Sequence, residues 1–296
     1  MANARKLDKR RKSIRNIRKI TRTMELIATA RFKKAMDRAS AATAYTRAVT
    51  KLVADLANAG LEVSHPLLEP RADVRRATML VLSANRGLCG GFNGNVLRLA
   101  VGRRKELSAS LNAEIRVEVS GKRGISGLKF RQIEVAESFT QFEDQPKYQQ
   151  VDEIATRYLQ QFVSGEMDRL DVVYTKFVSS SKQEAVVETL LPLGSLAADM
   201  PQTDKPTAGK DLYQFVPSAE GILEEVVPTS FKVKLFKCFL DSAVSEQIAR
   251  MVAMKNATKS ASDMIKSLSR EYNRARQSQI TGEIMEVLGG VEALKS

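Results

Sequence analysis

The stretch RRKSIRNIRKITRTMELIATARFKKAMDRA, Arg10 to Ala39, decides the fold because it carries two characters at once. Its density of Arg and Lys suits a grip on a polyanion. The run Met24-Glu25-Leu26-Ile27-Ala28-Thr29-Ala30 is apolar and small-featured, which suits packing instead. Both fit one helix if they occupy different faces. Neither glycine nor proline occurs from Ala2 to Ala59, in a chain that holds 16 and 8 of them, so helix is expected throughout that segment. Leu7, Ile14, Thr21, Ala28, Ala35 and Ala42 recur every seven residues, and Ile17 and Met24 supply the interleaved positions, so the spacing predicts a narrow coiled-coil seam. Alanine at successive seam positions lets a second backbone approach closely. At ~1.5 Å per residue the helix would be about 85 Å long, more than a compact domain covers.

The other end of the chain has the same texture. Glycine and proline are again absent between Thr229 and Thr281, and Met254, Ala257, Ala261, Ile265, Leu268, Tyr272 and Ala275 recur at spacings of three and four. Two long helices with single seams at opposite ends of one chain are most simply paired as an antiparallel coiled coil. The alternative is two separate helices packed on a globular body.

Between them the pattern changes. Ala77 to Ser83 reads as a buried strand, Asn95 to Leu107 as a helix, Glu114 to Ser120 as an alternating strand, and Lys147 to Gly165 as another helix. Leu170 to Val178 and Glu184 to Leu191 read as neighbouring strands joined through the turn Ser179 to Lys182. Alternating strands and helices of this size predict a small Rossmann-like α/β domain with a partly parallel sheet. The expected division is residues 1–59 as the N-terminal coiled-coil helix, 75–192 as the α/β domain, 193–217 as a linker and 218–296 as the C-terminal coiled-coil helix. The stretch Pro192 to Pro217, rich in Gly, Pro, Asp, Thr and Ser, reads as an exposed connection.

Charge becomes informative once it is located. Residues 1–40 hold 14 Lys/Arg against 3 Asp/Glu, which leaves 33 against 31 in the rest of a chain whose net charge is +13. The basicity belongs to one segment, and it calls for an acidic partner: nucleic acid, an anionic membrane surface or an acidic protein. No apolar run approaches the ~18 residues needed to cross a bilayer. Cys89 and Cys238 stand far apart without metal-ligand spacing, so reduced thiols are expected. His65 is the only histidine and precedes Pro66 in an expected loop, which argues against histidine triads and zinc centres.

Three places invite a functional reading. LSANRGLCGGFNGNV lies where the first strand passes into a helix, the position at which glycine-rich turns carry phosphate. Gly87, Gly90, Gly91 and Gly94 do not form G-x-G-x-x-G, and no Lys-Ser/Thr follows, which leaves nucleotide binding as the least favoured reading beside a tight packing turn and a protein-contact loop. Cys89 in that turn has no histidine base beside it, which favours an inert thiol over a nucleophile. The closing stretch QITGEIMEVLGGVEALKS is apolar at Ile280, Ile284, Met285, Leu288, Val291 and Leu294, so it either frays or enters a socket in another protein.

The blocks IRKITRTMELIATARFKKA, RGLCGGFN, SEQIARMVAMKNAT and YNRARQSQITGEIMEV, in this order and separation, closely resemble the γ subunit of the F-type ATP synthase, over the whole chain. The resemblance implies a non-catalytic rotor shaft of the F1 sector, which couples transmembrane proton flow to ATP synthesis or hydrolysis in catalytic β subunits and needs no cofactor. It implies an α3β3 hexamer, an ε subunit and a c ring as partners. By family position Met24 lies on the shaft near moving ends of the β subunits, and Arg276 and Gln277 match a pair that hydrogen-bonds a catch loop. Thr281 and Glu283 match polar positions beside that pair. The turn holding Arg86 and Cys89 would face the lower part of a β subunit, and Ile284 and Leu288 belong to a tip that turns in a hydrophobic sleeve. The start of the chain coincides with the family's, without an Arg/Ser-rich extension, which implies a bacterial protein at the cytoplasmic face of the cell membrane, held there peripherally. The competing expectation is a basic coiled coil that binds nucleic acid through phosphate contacts.

Overall fold

The computed structural model describes residues 2–58, 65–69, 71, 73–111, 113–142, 145–193 and 219–295. Its elements in chain order are α1 (Ala2–Asn58), β1 (Arg76–Leu82), α2 (Phe92–Leu111), β2 (Glu114–Ser120), α3 (Lys122–Phe130), β3 (Glu137–Phe139), α4 (Tyr148–Val163), β4 (Arg169–Ser179), β5 (Lys182–Leu191) and α5 (Ala219–Lys295). By contact density the chain divides into two compact units, residues 1–29 with 250–296, and residues 30–249.

The larger unit is built on a sheet of order β3-β2-β1-β4-β5, in which β5 alone runs antiparallel to its neighbour. β1 reads RATMLVL and is buried from Ala77 onward on both faces, as a central parallel strand must be. Met79 and Val81 pack with Val96, Leu97 and Ala100 of α2 and Leu128 of α3. Leu80 and Leu82 point to the other face, where α4 supplies Ile154, Tyr158 and Phe162 and α5 supplies Val227, Phe231 and Leu235. The strand period of two therefore sorts one run of apolar residues into two cores.

α3 and β3 are absent from the sequence expectations, and their length explains why. β3 has three residues and α3 has nine, with glycines at 124 and 127 that weaken any helical pattern. Those glycines are needed for close approach: a Cβ at Gly124 would lie 2.4 Å from Ser83 Oγ. Gly121 has φ 102°, and a Cβ there would fall 2.1 Å from Ser83 O. Ser83 fastens the two strand ends, its N–H donating to Ser120 O at 2.8 Å and its Oγ accepting from Gly124 N at 2.8 Å.

Charges inside this unit are paired. Glu118 is fully buried on β2, where its Oε2 accepts from Arg157 at 2.5 Å and from the Tyr158 hydroxyl at 2.8 Å. Burial pushes the Tyr158 hydroxyl pKa well up, as does the neighbouring Glu118 charge, so that proton stays in place to donate. Asp168 ties the start of β1 to the start of β4, accepting from the backbone N–H groups of Arg75 and Arg76 at 3.0 and 2.9 Å and from Arg71 at 2.6 Å. Burial alone would raise its pKa; the Arg76 N–H, the Arg71 guanidinium and the Arg75 N–H outweigh that and hold it below the usual carboxylate range.

Away from the sheet, α1 places Ala35 and Ala39 against Leu240, Val244 and Ile248 of α5, flanked by Phe32, Met36 and Ala42. In the smaller unit the two helices run antiparallel, with the Arg11 guanidinium 4.6 Å over the Tyr272 ring and Thr258 Oγ1 2.9 Å from Thr21 Oγ1. The expected α5 stripe holds: Met254, Ala261 and Leu268 are buried, and Ala257, Ile265, Tyr272 and Ala275 are half-buried. On α1 the seven-residue series is also turned inward, but the interleaved positions need correction. Ile17 is 45% exposed, and the residues that alternate with Thr21, Ala28 and Ala35 are Glu25, Phe32 and Ala39, four residues on rather than three. Three residues turn a helix 300° and four turn it 400°, so the choice decides which side of the seam is covered. A charged Glu25 hides that choice from a purely apolar pattern. The 193–217 linker lies, from residue 194 on, outside the described residues.

Asp168→Ala should destabilise the sheet-bearing unit by about 3 kcal/mol, since it leaves two backbone donors and Arg71 without their acceptor. Because the folded pKa is depressed, the stabilisation by Asp168 is complete above the ordinary carboxyl range of about 4 and is lost as pH falls through the folded value. The gap in melting temperature between wild type and variant should therefore narrow as pH is lowered from 7 to 3.

Candidate functional site

The end of β1 feeds the glycine-rich turn. Ala84 N–H donates to Asn93 Oδ1 at 2.9 Å, Asn93 Nδ2 lies 3.1 Å from Cys89 Sγ, and Phe92 N–H closes onto Cys89 O at 3.2 Å. Leu88 and Gly90 take left-handed backbone angles, φ 65° and 56°, which fold the chain back on itself before α2 starts. The inside of the turn is filled by Asn93 and the Cys89 thiol, in a small cluster with Ala84 and Phe92. That filling is what a tight turn needs. What the turn presents outward is Arg86 and Leu88, both exposed. Cys89 is only 1% exposed, so its expected role as a contact residue is corrected: the outward residue between Gly87 and Gly90 is Leu88. A leucine flanked by glycines is the signal that could have identified it.

The second candidate surface belongs to the smaller unit. There Arg5, Lys9 and Lys12 of α1 and Tyr272, Arg276 and Gln279 of α5 line an open cleft. Asp8 at its edge is bridged by Arg11 at 2.6 Å and Lys12 at 3.0 Å, and hydrogen bonds from Lys12 and Arg11 hold its carboxyl below the usual range. Arg276 and Gln277 are exposed beside this basic cleft, as are Thr281 and Glu283 one turn on; Gln279 Nε2 donates to Glu283 Oε1 at 2.8 Å. Met24 sits elsewhere on the same helix pair, half-buried beside Glu25, whose carboxylate is held 2.7 Å from Arg22.

Beyond Ile280 every described α5 side chain is exposed. Ile280, Ile284, Val287 and Val291 follow one another at helical spacing along one stripe, with Met285 and Leu288 beside it, and these six are between 42% and 66% exposed. A contiguous apolar surface of this kind on a helix end is the sort of surface that protein contacts use. The site residues expected from the sequence thus fall into three places: the helix pair at Met24, the β1 turn at Arg86, and the α5 end from Arg276 to Leu288.

Comparison with known proteins gives one family. A protein-family model described as ATP synthase matches residues 3–294. The chain is 67% identical to the ATP synthase gamma chain of Rhodopirellula baltica over 299 aligned residues, covering all of both chains. It is 38% identical to that of Leptospira biflexa, covering 99% of this chain and 100% of the relative. Among solved structures, a chain of the Euglena gracilis mitochondrial ATP synthase OSCP/F1/c-ring has the same fold, with a TM-score of 0.66 at 17% identity, covering 99% of this chain and 95% of that one. A chain of the Tetrahymena thermophila mitochondrial ATP synthase central stalk and c-ring gives a TM-score of 0.57 at 18% identity, covering 80% of this chain and 99% of that one.

Both thiols should be inert while the chain is folded. Cys89 and Cys238 are buried, and burial together with the nearby Glu188 pushes the Cys238 pKa up, so thiolate is scarce. A chromogenic disulfide reagent at pH 8 should modify the native chain at least ~10-fold more slowly than the chain unfolded in denaturant.

Proposed function

The chain belongs to the ATP synthase gamma chain family, and we propose that it is the non-catalytic central shaft of a rotary ATP synthase, turning inside an α3β3 ring and coupling proton flow to ATP synthesis or hydrolysis. The observation that carries this reading is the uncovered apolar stripe from Ile280 to Val291 on a helix that outruns its partner, next to a basic cleft. Such an end is built to be enclosed. Covering the exposed part of each of those side chains stabilises by about 1 kcal/mol, and because such contacts are non-directional their sum can seat the tip in an apolar sleeve without fixing its rotation.

Coupling needs no bond chemistry in this chain. A rod whose faces differ makes different contacts with three partners around it, and each contact shifts a partner's equilibrium between open and closed forms by the difference in binding free energy. Here one face presents Met24 at the seam edge, another the Arg and Lys of α1, and the end presents Arg276 and Gln277. In this reading Met24 meets the moving ends of β subunits, and Arg276 and Gln277 hydrogen-bond a polar loop with Thr281 and Glu283 beside them. Ile284 and Leu288 form the bearing, and Arg86 with Leu88 meets the lower part of a β subunit. The basic face of α1 complements acidic partner segments, which steers assembly more than it adds affinity. The α/β unit, in this reading, contacts an ε subunit and the c ring. Among the described residues no helix is long and apolar enough to cross a membrane; association with the cytoplasmic face of a bacterial membrane is, in this reading, peripheral and made through those partners.

Purification of the tagged chain from its own host should bring down α- and β-type subunits in fixed proportion; recovery of the chain without them sinks the proposal. Truncation before Ile280 should leave the melting of the sheet-bearing unit unchanged while ATP-driven coupling falls about tenfold or more, the scale on which losing an apolar anchor acts. Full coupling in the truncated complex would remove the tip from the mechanism.

A further inference from the structure

The seam of the smaller unit contains several very small side chains. Ala28 and Ala261 are buried in it, and Ala257 and Ala275 half-buried, alongside the larger Met254 and Leu268 that are also buried. Alanine knobs let two helices close up, yet they discriminate poorly between registers, because sliding one helix by a heptad exchanges one shallow contact for another. Polar contacts across the seam are specific in a way that these are not. Thr258 Oγ1 lies 2.9 Å from Thr21 Oγ1, and Thr21 is 8% exposed. Each hydroxyl also reaches a carbonyl of its own helix, Arg18 O at 3.1 Å and Met254 O at 2.8 Å. A hydroxyl has one proton and two lone pairs, so one threonine donates across the seam while the other donates to its backbone, in a single chain. A slide of seven residues would set Thr21 opposite Met251 or Ile265 and Thr258 opposite Ile14 or Ala28, none of which carries a hydroxyl. It would also part Arg11 from the Tyr272 ring, now 4.6 Å away.

We propose that Thr21 and Thr258 are the register pin of the helix pair, positioning residues that fix which faces of α1 and α5 stand side by side. Its importance for rotation rests on the shaft reading, since a rod that shows a different face to each partner must have one register. The pin itself does not rest on that reading.

The test measures register directly on the full chain. Spin labels at Lys19→Cys and Arg274→Cys, both exposed and axially offset, report sliding as a change in distance, while the native cysteines are buried and stay unlabelled. The parent should give a single distance, and Thr21→Ser/Thr258→Ser, which keeps both hydroxyls, should retain it. Thr21→Val/Thr258→Val, of the same shape without hydroxyls, should add a second population displaced by about 10 Å, seven residues at ~1.5 Å each. A single unshifted distance in the valine pair, or several distances already in the parent, overturns the assignment. Failure of the partner co-purification would leave this distance measurement intact, so the two ideas fail separately.

Discussion

Two helix backbones approach closely only where both present small side chains, and this constraint organises the chain. On α1 the buried positions from Thr21 to Ala39 are threonine, glutamate and alanine, with Phe32 only half-buried among them. A seam this narrow occupies one side of the helix and leaves the others free. Arg and Lys fill much of those outer faces but share them with Ile17, Ile20, Leu26 and Ile27, which are 45–59% exposed, so the opening stretch carries apolar side chains on its outside as well as small ones along the seam. Further along α5, every described side chain beyond Ile280 is exposed, and the apolar stripe from Ile280 to Val291 stays uncovered.

The sheet-bearing unit solves a different problem, which is to bury charge without stranding it. Glu118, Asp168 and Asp171 lie inside, each with arginine within salt-bridge distance. Glu188 shows the balance: burial would raise its pKa, but Lys234, the Tyr174 hydroxyl and Lys176 together hold it below its ordinary value. Asp241 goes the other way, its burial outweighing Lys237 at 2.7 Å. On α5 the whole run Asp241 to Ile248 is buried although five of its eight residues are polar. Ser242 and Glu246 line a small cavity with Ser83, Asn85 and Ser120 at the ends of β1 and β2. In open α/β sheets that edge is where ligands bind; here the chain's own helix lies across it.

Long, strongly patterned elements were legible in the sequence. The absence of glycine and proline marks both terminal helices, and the run MLVL marks a strand that only a central parallel position accommodates. Short elements were not. Gly121 and Gly124 look like helix breakers and serve as contact points, because only a missing Cβ lets α3 start against Ser83. The family resemblance located the turn around Arg86 and the α5 end, but which residue of that turn faces outward depended on a left-handed backbone at Leu88 and on Asn93 filling the interior. Neither is encoded in a local pattern.

What the sequence by itself determined is the existence of two long single-seamed helices, the α/β character of the middle, the concentration of positive charge in residues 1–40, and an apolar C-terminal end. Those are properties of periodicity and composition, which act locally along the chain. The tertiary structure decided the rotation of α1 about its axis, hence Glu25 and Phe32 rather than Ile17 beside the seam, the inward turn of Cys89, and the pairing of Thr21 with Thr258. Each of these depends on which atoms of a distant segment are present to be touched, and a helix with both Ile17 and Glu25 at seam-compatible spacings has no local reason to prefer one side over the other.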